Sequence, residues 1–308
     1  MSCTAEAQNS APTAPPAASS GVAAGNQTAP VYVYRQPVPE VNLVFTVTDK
    51  HGKFIKDLKQ DQFRILDNSK PPKQVVMFKG QTDLPLRVGL LIDASNSIRD
   101  RFLFEQQAAT KFLQAIIHVR TDKAFVVAFD EAIDLAQDFT NDTDKLRRGI
   151  KNIRPGGGTA LWDAVYYACR DKLLKEQETG PVRRAIILIS DGADNQSRVS
   201  RQEALEMAQK AEVIVYTIST NLSNIHDRGD QNLQMLADAT GGRSFFPYKI
   251  EELSNAFAEV EGELRSQYAL AYKPADLISN GEFRPIQIIA NNKSLKVRAR
   301  KGYFAPKQ

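Results

Sequence analysis

The spacing of apolar residues changes along this chain, and each change predicts a different kind of element. "VNLVFTVTD", from Val41, alternates apolar and polar positions, the period of a strand with one buried face. "KHGK" supplies a turn, and "QFRILDNSKPPKQVVMF" reads as strand, Asn/Ser/Lys/Pro turn and strand. Residues 39–80 are therefore expected to form a small β unit of three or four strands, too small to stand alone as a sandwich.

Between residues 87 and 266 the pattern becomes strand, helix, strand. "RVGLLID" and "RAIILIS" are nearly continuous apolar runs, as expected of parallel strands covered on both faces. "AFVVAFD", "EVIVYTIS" and the shorter "RSFF" fit as further strands. Apolar positions at three-to-four spacing predict helices over "FLFEQQAATKFLQAIIHV", "TALWDAVYYACRDKLLKE", "SRQEALEMAQKA" and "NLQMLADAT", the last stopped by Gly241 and Gly242. "EELSNAFAEVEGELRSQ" closes the series. "AFVVAFDEAIDLAQDF" breaks it: two apolar runs joined by Asp130-Glu131 suit a hairpin and one antiparallel edge strand. The alternation predicts an α/β fold with a doubly wound, mostly parallel sheet covered by helices on both faces.

The tail, with "YALAYKP", "FRPIQIIA" and "LKVRARKGYFAP", is β again. The two terminal β pieces are expected to pair into one small β-sandwich-like module. The predicted organisation is a linker over 1–38, the β module from 39–84 and 267–308, and the α/β domain over 85–266, inserted between its halves.

Composition narrows the function classes. With 42% hydrophobic and 25% charged residues, the chain is ordinary globular protein, and its net charge of +4 comes from scattered Lys and Arg. Nucleic-acid binding would need basic charge clustered with aromatics, which this sequence lacks. No stretch approaches membrane-spanning length. The three histidines, His51, His118 and His226, have neither catalytic nor metal spacing, and Cys169 reads as a small core residue. "APTAPPAASSGVAAG" cannot bury enough apolar surface to offset ordering, so residues 1–38 are expected to be disordered. The start lacks the basic and apolar regions of a secretory signal peptide. Ala/Pro/Ser tethers nonetheless often follow the cleavage site of exported bacterial proteins. A periplasmic, extracellular or lipid-anchored setting is thus one expectation, with Cys3 as the residue to carry a lipid; a plain flexible tail is the other.

The chemistry concentrates in "LLIDASNSIRD". An apolar strand ends in Asp93, Ser95 and Ser97, oxygen-bearing side chains at alternate positions. In an open α/β sheet, ligands bind beyond the carboxyl ends of the strands. Two further loops are expected at that edge: "RPGGGTAL", carrying Thr159, and "ISDGADN", carrying Asp191. Two carboxylates and three hydroxyls, without nitrogen or sulfur, suit a hard cation: Mg²⁺, Mn²⁺ or Ca²⁺.

The D-x-S-x-S run, the Thr after a glycine turn and the strand-terminal S-D-G together resemble a von Willebrand factor A domain with a metal-ion-dependent adhesion site, over roughly residues 85–265. The flanking "DQFRILDNSKPPKQVVMF" and "LKVRARKGYFAP" resemble bacterial proteins related to that family, found notably in acidobacteria. The resemblance implies that Ser95 and Ser97 bind the metal through their hydroxyls, Thr159 directly or through water, and Asp93 and Asp191 directly or through bound waters. It implies a non-enzymatic adhesion or interaction module whose ion accepts an Asp or Glu of a protein partner. Asn96 stands where many members carry Gly, and Asn tolerates left-handed backbone. Asp130 falls near the same edge, either steadying the ligands or turning the hairpin.

Other signals are weaker. "PGGGTA" lacks the G-x-x-x-x-G-K-[ST] spacing of a phosphate loop. Arg228-Gly229-Asp230 reads as a chance tripeptide in a turn before a helix, Trp162 as core, and Asp163 as a complement to a helix N-terminus. A metal-activated hydrolase, or an assembly subunit that uses its metal intramolecularly, are the alternatives to the adhesion-type reading.

Overall fold

In the computed structural model, which describes residues 40–80, 84–96, 102–176, 180–221 and 225–306, the N-terminal alternating segments are strands β1 (Val41–Thr48), β2 (Phe63–Asp67) and β3 (Gln74–Lys79). The linker over 1–38, Cys3 and Ser97 lie outside the described residues.

Every residue of β4 (Leu86–Asp93) is buried, as its unbroken apolar run requires. β5 (Lys123–Phe129) and β7 (Arg183–Ser190) flank it in parallel, with Leu90 opposite Val126 on one side and Ile187 on the other. β6 (Ile133–Thr140) returns antiparallel to β5 as the expected edge strand. β8 (Val213–Ser219) and the short β9 (Ser244–Phe245) complete the order β6-β5-β4-β7-β8-β9. Each face buries its own set of helices. α1 (Phe102–Ile116), α2 (Thr143–Asn152) and α6 (Leu253–Leu264) pack against Leu90 and Ile92, and α3 (Leu161–Tyr167), α4 (Arg201–Lys210) and α5 (Arg228–Thr240) share the opposite core with Leu91. Each such fully buried Leu or Ile contributes about 2 kcal/mol. Gly89 leaves room for the Phe125 ring, which a Cβ there would meet at 2.5 Å.

Two helical features differ from expectation. The apolar spacing gave no sign of α2, whose buried residues are only Leu146, Gly149 and Ile150; its Asp142 cap, accepting from the Asp144 and Lys145 amides, was the available signal. The stretch "TALWDAVYYACRDKLLKE" does not continue as one α-helix, because α3 passes into a π-helical turn at Ala168–Leu173. Gly241 ends α5 as expected, at φ +83°, and a Cβ on it would come within 2.5 Å of the Ala299 carbonyl carbon.

The tail forms β10 (Tyr268–Lys273), β11 (Phe283–Ala290), β12 (Lys296–Ala299) and β13 (Gly302–Phe304). With the N-terminal strands it makes two antiparallel sheets, β12-β1-β10-β3 and β13-β11-β2. They share one core around Phe45, Ile65, Tyr268, Ile286 and Tyr303. Arg300 ties this core to the parallel sheet's surroundings, donating to the carbonyls of Asn42 (2.6 Å) and Gln209 (3.3 Å) and pairing with Glu212. Among the described residues no helix is long and apolar enough to cross a membrane.

Candidate metal centre

The chain runs from β4 to β5 on one side and later enters β7 on the other, so the topological switch lies between β4 and β7. The crevice beyond their carboxyl ends is where this architecture places ligands. Asp93 ends β4 and is fully buried. Its Oδ1 accepts the Ser95 amide at 2.9 Å, and its Oδ2 accepts the Ser190 hydroxyl at 2.6 Å. Ser190 ends β7, and its Oγ also accepts the Gly192 amide at 3.0 Å. Asp191 therefore leaves β7 at the level where Asp93 leaves β4, with its Oδ1 accepting the Ala193 amide at 3.0 Å.

The glycine turn is fastened to the same place. The Gly156 amide donates to Ala94 O at 2.6 Å, and the backbone amide and the side-chain Nδ2 of Asn96 donate to Gly157 O at 3.4 and 3.3 Å. Gly157 has φ +69°, and a Cβ on it would meet the Asp130 side chain at 3.3 Å. Thr159 is buried; its amide donates to Asn195 Oδ1 at 2.9 Å, and its carbonyl accepts the Asn195 and Gln196 amides at 3.0 Å.

The loop after β7 also caps α3. Asp194 Oδ1 accepts the Leu161 amide, and Ser197 Oγ accepts those of Trp162 and Asp163. Asp163 answers by accepting the Arg198 and Val199 amides. Asp163 thus lies in the first turn of α3, as expected, and also holds the neighbouring loop.

Of the sequence-selected residues, Asp93, Ser95, Thr159 and Asp191 thus sit on loops bonded to one another at one end of the sheet, while Ser97 is outside the described residues. Asp130 caps its own turn, its Oδ1 accepting the Ala132 amide at 2.9 Å, and its carbonyl accepts the Ala160 amide. Asp230 of the Arg-Gly-Asp tripeptide is buried in a capping box with Asp227, and Trp162 and Cys169 are core. Ser190, Asp194, Asn195 and Ser197 were missed. Their roles depend on contacts across strands, although the D-x-x-S spacing of Asp194 and Ser197 resembles a helix cap.

Electrostatics favour a cation here. Burial pushes the Asp93 carboxyl up to about 6; hydrogen bonds from Ser190 and Ser95 pull the other way, and the negative charge of Asp191 adds to the rise. A divalent ion would relieve both the desolvation and the repulsion. Among the described residues no three His, Cys, Asp or Glu side chains gather as a metal cluster.

Gly192 holds φ +76° against α5, and a Cβ there would lie 2.1 Å from Gly229 O. Gly192→Ala is therefore expected to cost at least about 2 kcal/mol and to displace Asp191. Denaturant unfolding, together with metal titration of the folded fraction, checks both effects.

A family model described as the von Willebrand factor type A domain matches residues 88–259. Among solved structures, a von Willebrand factor type A protein from Catenulispora acidiphila is 12% identical, covering 82% of this chain and 76% of its own, with a TM-score of 0.52. Proximal thread matrix protein 1 from the mussel byssus, solved with a zinc-occupied MIDAS motif, is 16% identical over 62% of this chain and 48% of its own, with a TM-score of 0.51. The PilB minor pilin from Streptococcus sanguinis is 15% identical over 64% and 63%, with a TM-score of 0.47. This chain thus spans less than two thirds of the pilin and about half of the mussel protein. At these identities the likeness is one of fold. No curated protein sequence matches the chain.

Proposed function

Since the chain belongs to the von Willebrand factor type A domain family, matched over residues 88–259, we propose that it is a divalent-cation-dependent protein-binding module. The observation that carries this reading is the buried Asp93 carboxylate at the sheet's switch point, beside Asp191 and within loops that bring Ser95 and Thr159 to the same edge.

Asp93, Ser95, Ser97, Thr159 and Asp191 would hold the ion, which when bound supplies a Lewis-acidic position for a partner's Asp or Glu carboxylate. Two carboxylates balance a divalent charge, and neutral hydroxyls add none. More carboxylates would hold the ion and repel the incoming acid. The donor set suits Mg²⁺, Mn²⁺ or Ca²⁺, and the mussel protein of the same fold was solved with zinc in its MIDAS motif.

Binding fits the site better than hydrolysis. His118 lies just after α1 at the opposite edge of the sheet, beside Asp122, and His226 lies 3.5 Å from Asp230. Both histidines are thus paired with aspartates four residues away in sequence. An extracytoplasmic setting, suggested by the composition of residues 1–38, agrees with an adhesion-type role.

Asp191→Ala tests the reading. It is expected to lower Mg²⁺ affinity by at least about a hundredfold, measured by calorimetry, while stability in EDTA changes by less than about 0.5 kcal/mol, because Asp191 lies in a surface loop. A large loss of stability with unchanged metal affinity would overturn it.

A further inference from the structure

A groove of about 420 Å³ lies between α1 and α2. α1 begins after the loop that carries Asp93 and Ser95, and α2 ends just before the glycine turn that leads to Thr159. At that end Gln106 donates to the carbonyls of Ile150 and Ile153, fixing the spacing of the two helices. The groove's volume falls within the range of binding clefts.

Its lining is chemically one-sided. Leu103 is 71% exposed at its mouth, and Ile150 lies in its wall. Lys111, Arg147 and Lys151 stand around it, and among the described residues no acidic side chain lines it. Arg147 is shared with Asp144, an exposed pair that holds it weakly. Lys111 and Lys151 make no ion pair among the described residues, so their charges are available to a ligand. The exposed Leu103 and these cations together offer an apolar contact flanked by positive charge.

From these residues we infer that the α1/α2 groove binds an acidic, leucine-bearing segment of the protein partner, next to the carboxylate that reaches the metal. From Leu103 to Gln114 the groove runs along about 16 Å of helix, enough for about five extended residues or three helical turns. An apolar side chain covers Leu103, and flanking carboxylates meet Lys111 and Lys151. The inference names the partner's chemistry for the metal-dependent reading and rests on that reading for the segment's source. Occupation of the groove itself needs no ion.

The probe is a fluorescein-labelled dodecapeptide of glutamate with leucines four residues apart, followed by anisotropy at about 50 mM salt. A peptide with glutamine for glutamate and one with glutamate alone are the controls. The full chain is expected to bind the first peptide at least about tenfold more tightly than either control, in EDTA as well as in Mg²⁺. Lys111→Glu with Lys151→Glu, both exposed, is expected to remove that preference. Arg148→Glu, on α2 but outside the groove, should change affinity less than about twofold. Equal binding by the double variant and the wild type, or by the all-glutamate peptide, overturns the groove. Asp191→Ala separates the two ideas: it should remove any Mg²⁺-dependent gain and leave the EDTA affinity intact. A groove that binds in EDTA while Mg²⁺ adds nothing, and calorimetry finds no ion, leaves the groove standing and sinks the metal reading.

Discussion

Asp93→Asn is expected to abolish metal binding and, at the same time, to make the metal-free protein more stable. Burial pushes the Asp93 carboxyl up to about 6 in the folded chain, from the ordinary carboxylate value of 3.8. The folded state therefore holds the proton more tightly than the unfolded state does. The stability this provides is fully present below about pH 4 and is lost as pH rises through 6. At pH 7.5 the ionised group costs the native state about 3 kcal/mol. Asn keeps the shape without the charge, but its amide serves the Ser190 hydroxyl less well than a carboxylate oxygen does. A net gain of about 1–2 kcal/mol is expected in EDTA. Mg²⁺ should raise the melting temperature of the wild type and leave that of the variant unchanged. Urea unfolding from pH 4 to 8, with and without Mg²⁺, checks both signs. A residue that weakens the fold without metal and strengthens it with metal is serving the ion.

The second large effect lies in the terminal sheets. Asp67 on β2 is 1% exposed, and Arg284 on β11 pairs with it at 2.7 Å. The hydroxyls of Tyr272 on β10 and Tyr303 on β13 donate to Asp67 Oδ2 at 2.9 and 2.8 Å. Burial, reinforced by Asp67, drives both phenols well above their ordinary range. The network thus joins the two sheets through one buried carboxylate. Arg284→Met removes the only cation paired with Asp67 among the described residues and is expected to cost about 3–5 kcal/mol, because a charge is left buried. Adding Asp67→Asn should recover part of that loss, since the uncompensated charge is gone. Denaturant midpoints of the single and double variants measure both. A loss under about 1 kcal/mol for Arg284→Met would show that the network does not hold the sheets together.

The sequence made the parallel strands legible because burial on both faces leaves few polar positions: all eight residues of β4 and the last six of β7 are buried. The antiparallel edge was legible because Asp130-Glu131 interrupts two apolar runs, and Asp130 does turn that hairpin. Pairing of the terminal β pieces followed from each being too small alone. α2 was hidden because its amphipathic face is narrow: Leu146 and Ile150 are its only large buried side chains. In the candidate metal centre, Asp93, Ser95, Thr159 and Asp191 could be picked out by residue type and by their position after predicted strands. The role of Asn195 could not, because an amide becomes a positioning group only when tertiary contact supplies its partner. The same holds for Asp67 and Arg284, which are 217 residues apart and meet only when the terminal strands pair.

The most direct measurement is anomalous diffraction from crystals of the full chain grown in Mn²⁺. The account predicts a single strong Mn²⁺ peak at the carboxyl ends of β4 and β7, within bonding distance of the Ser95 and Ser97 hydroxyls and close to Thr159, Asp93 and Asp191. A density map with no ion at that edge, or with Asp191 turned away from the serine pair and no room for a cation between them, would contradict it.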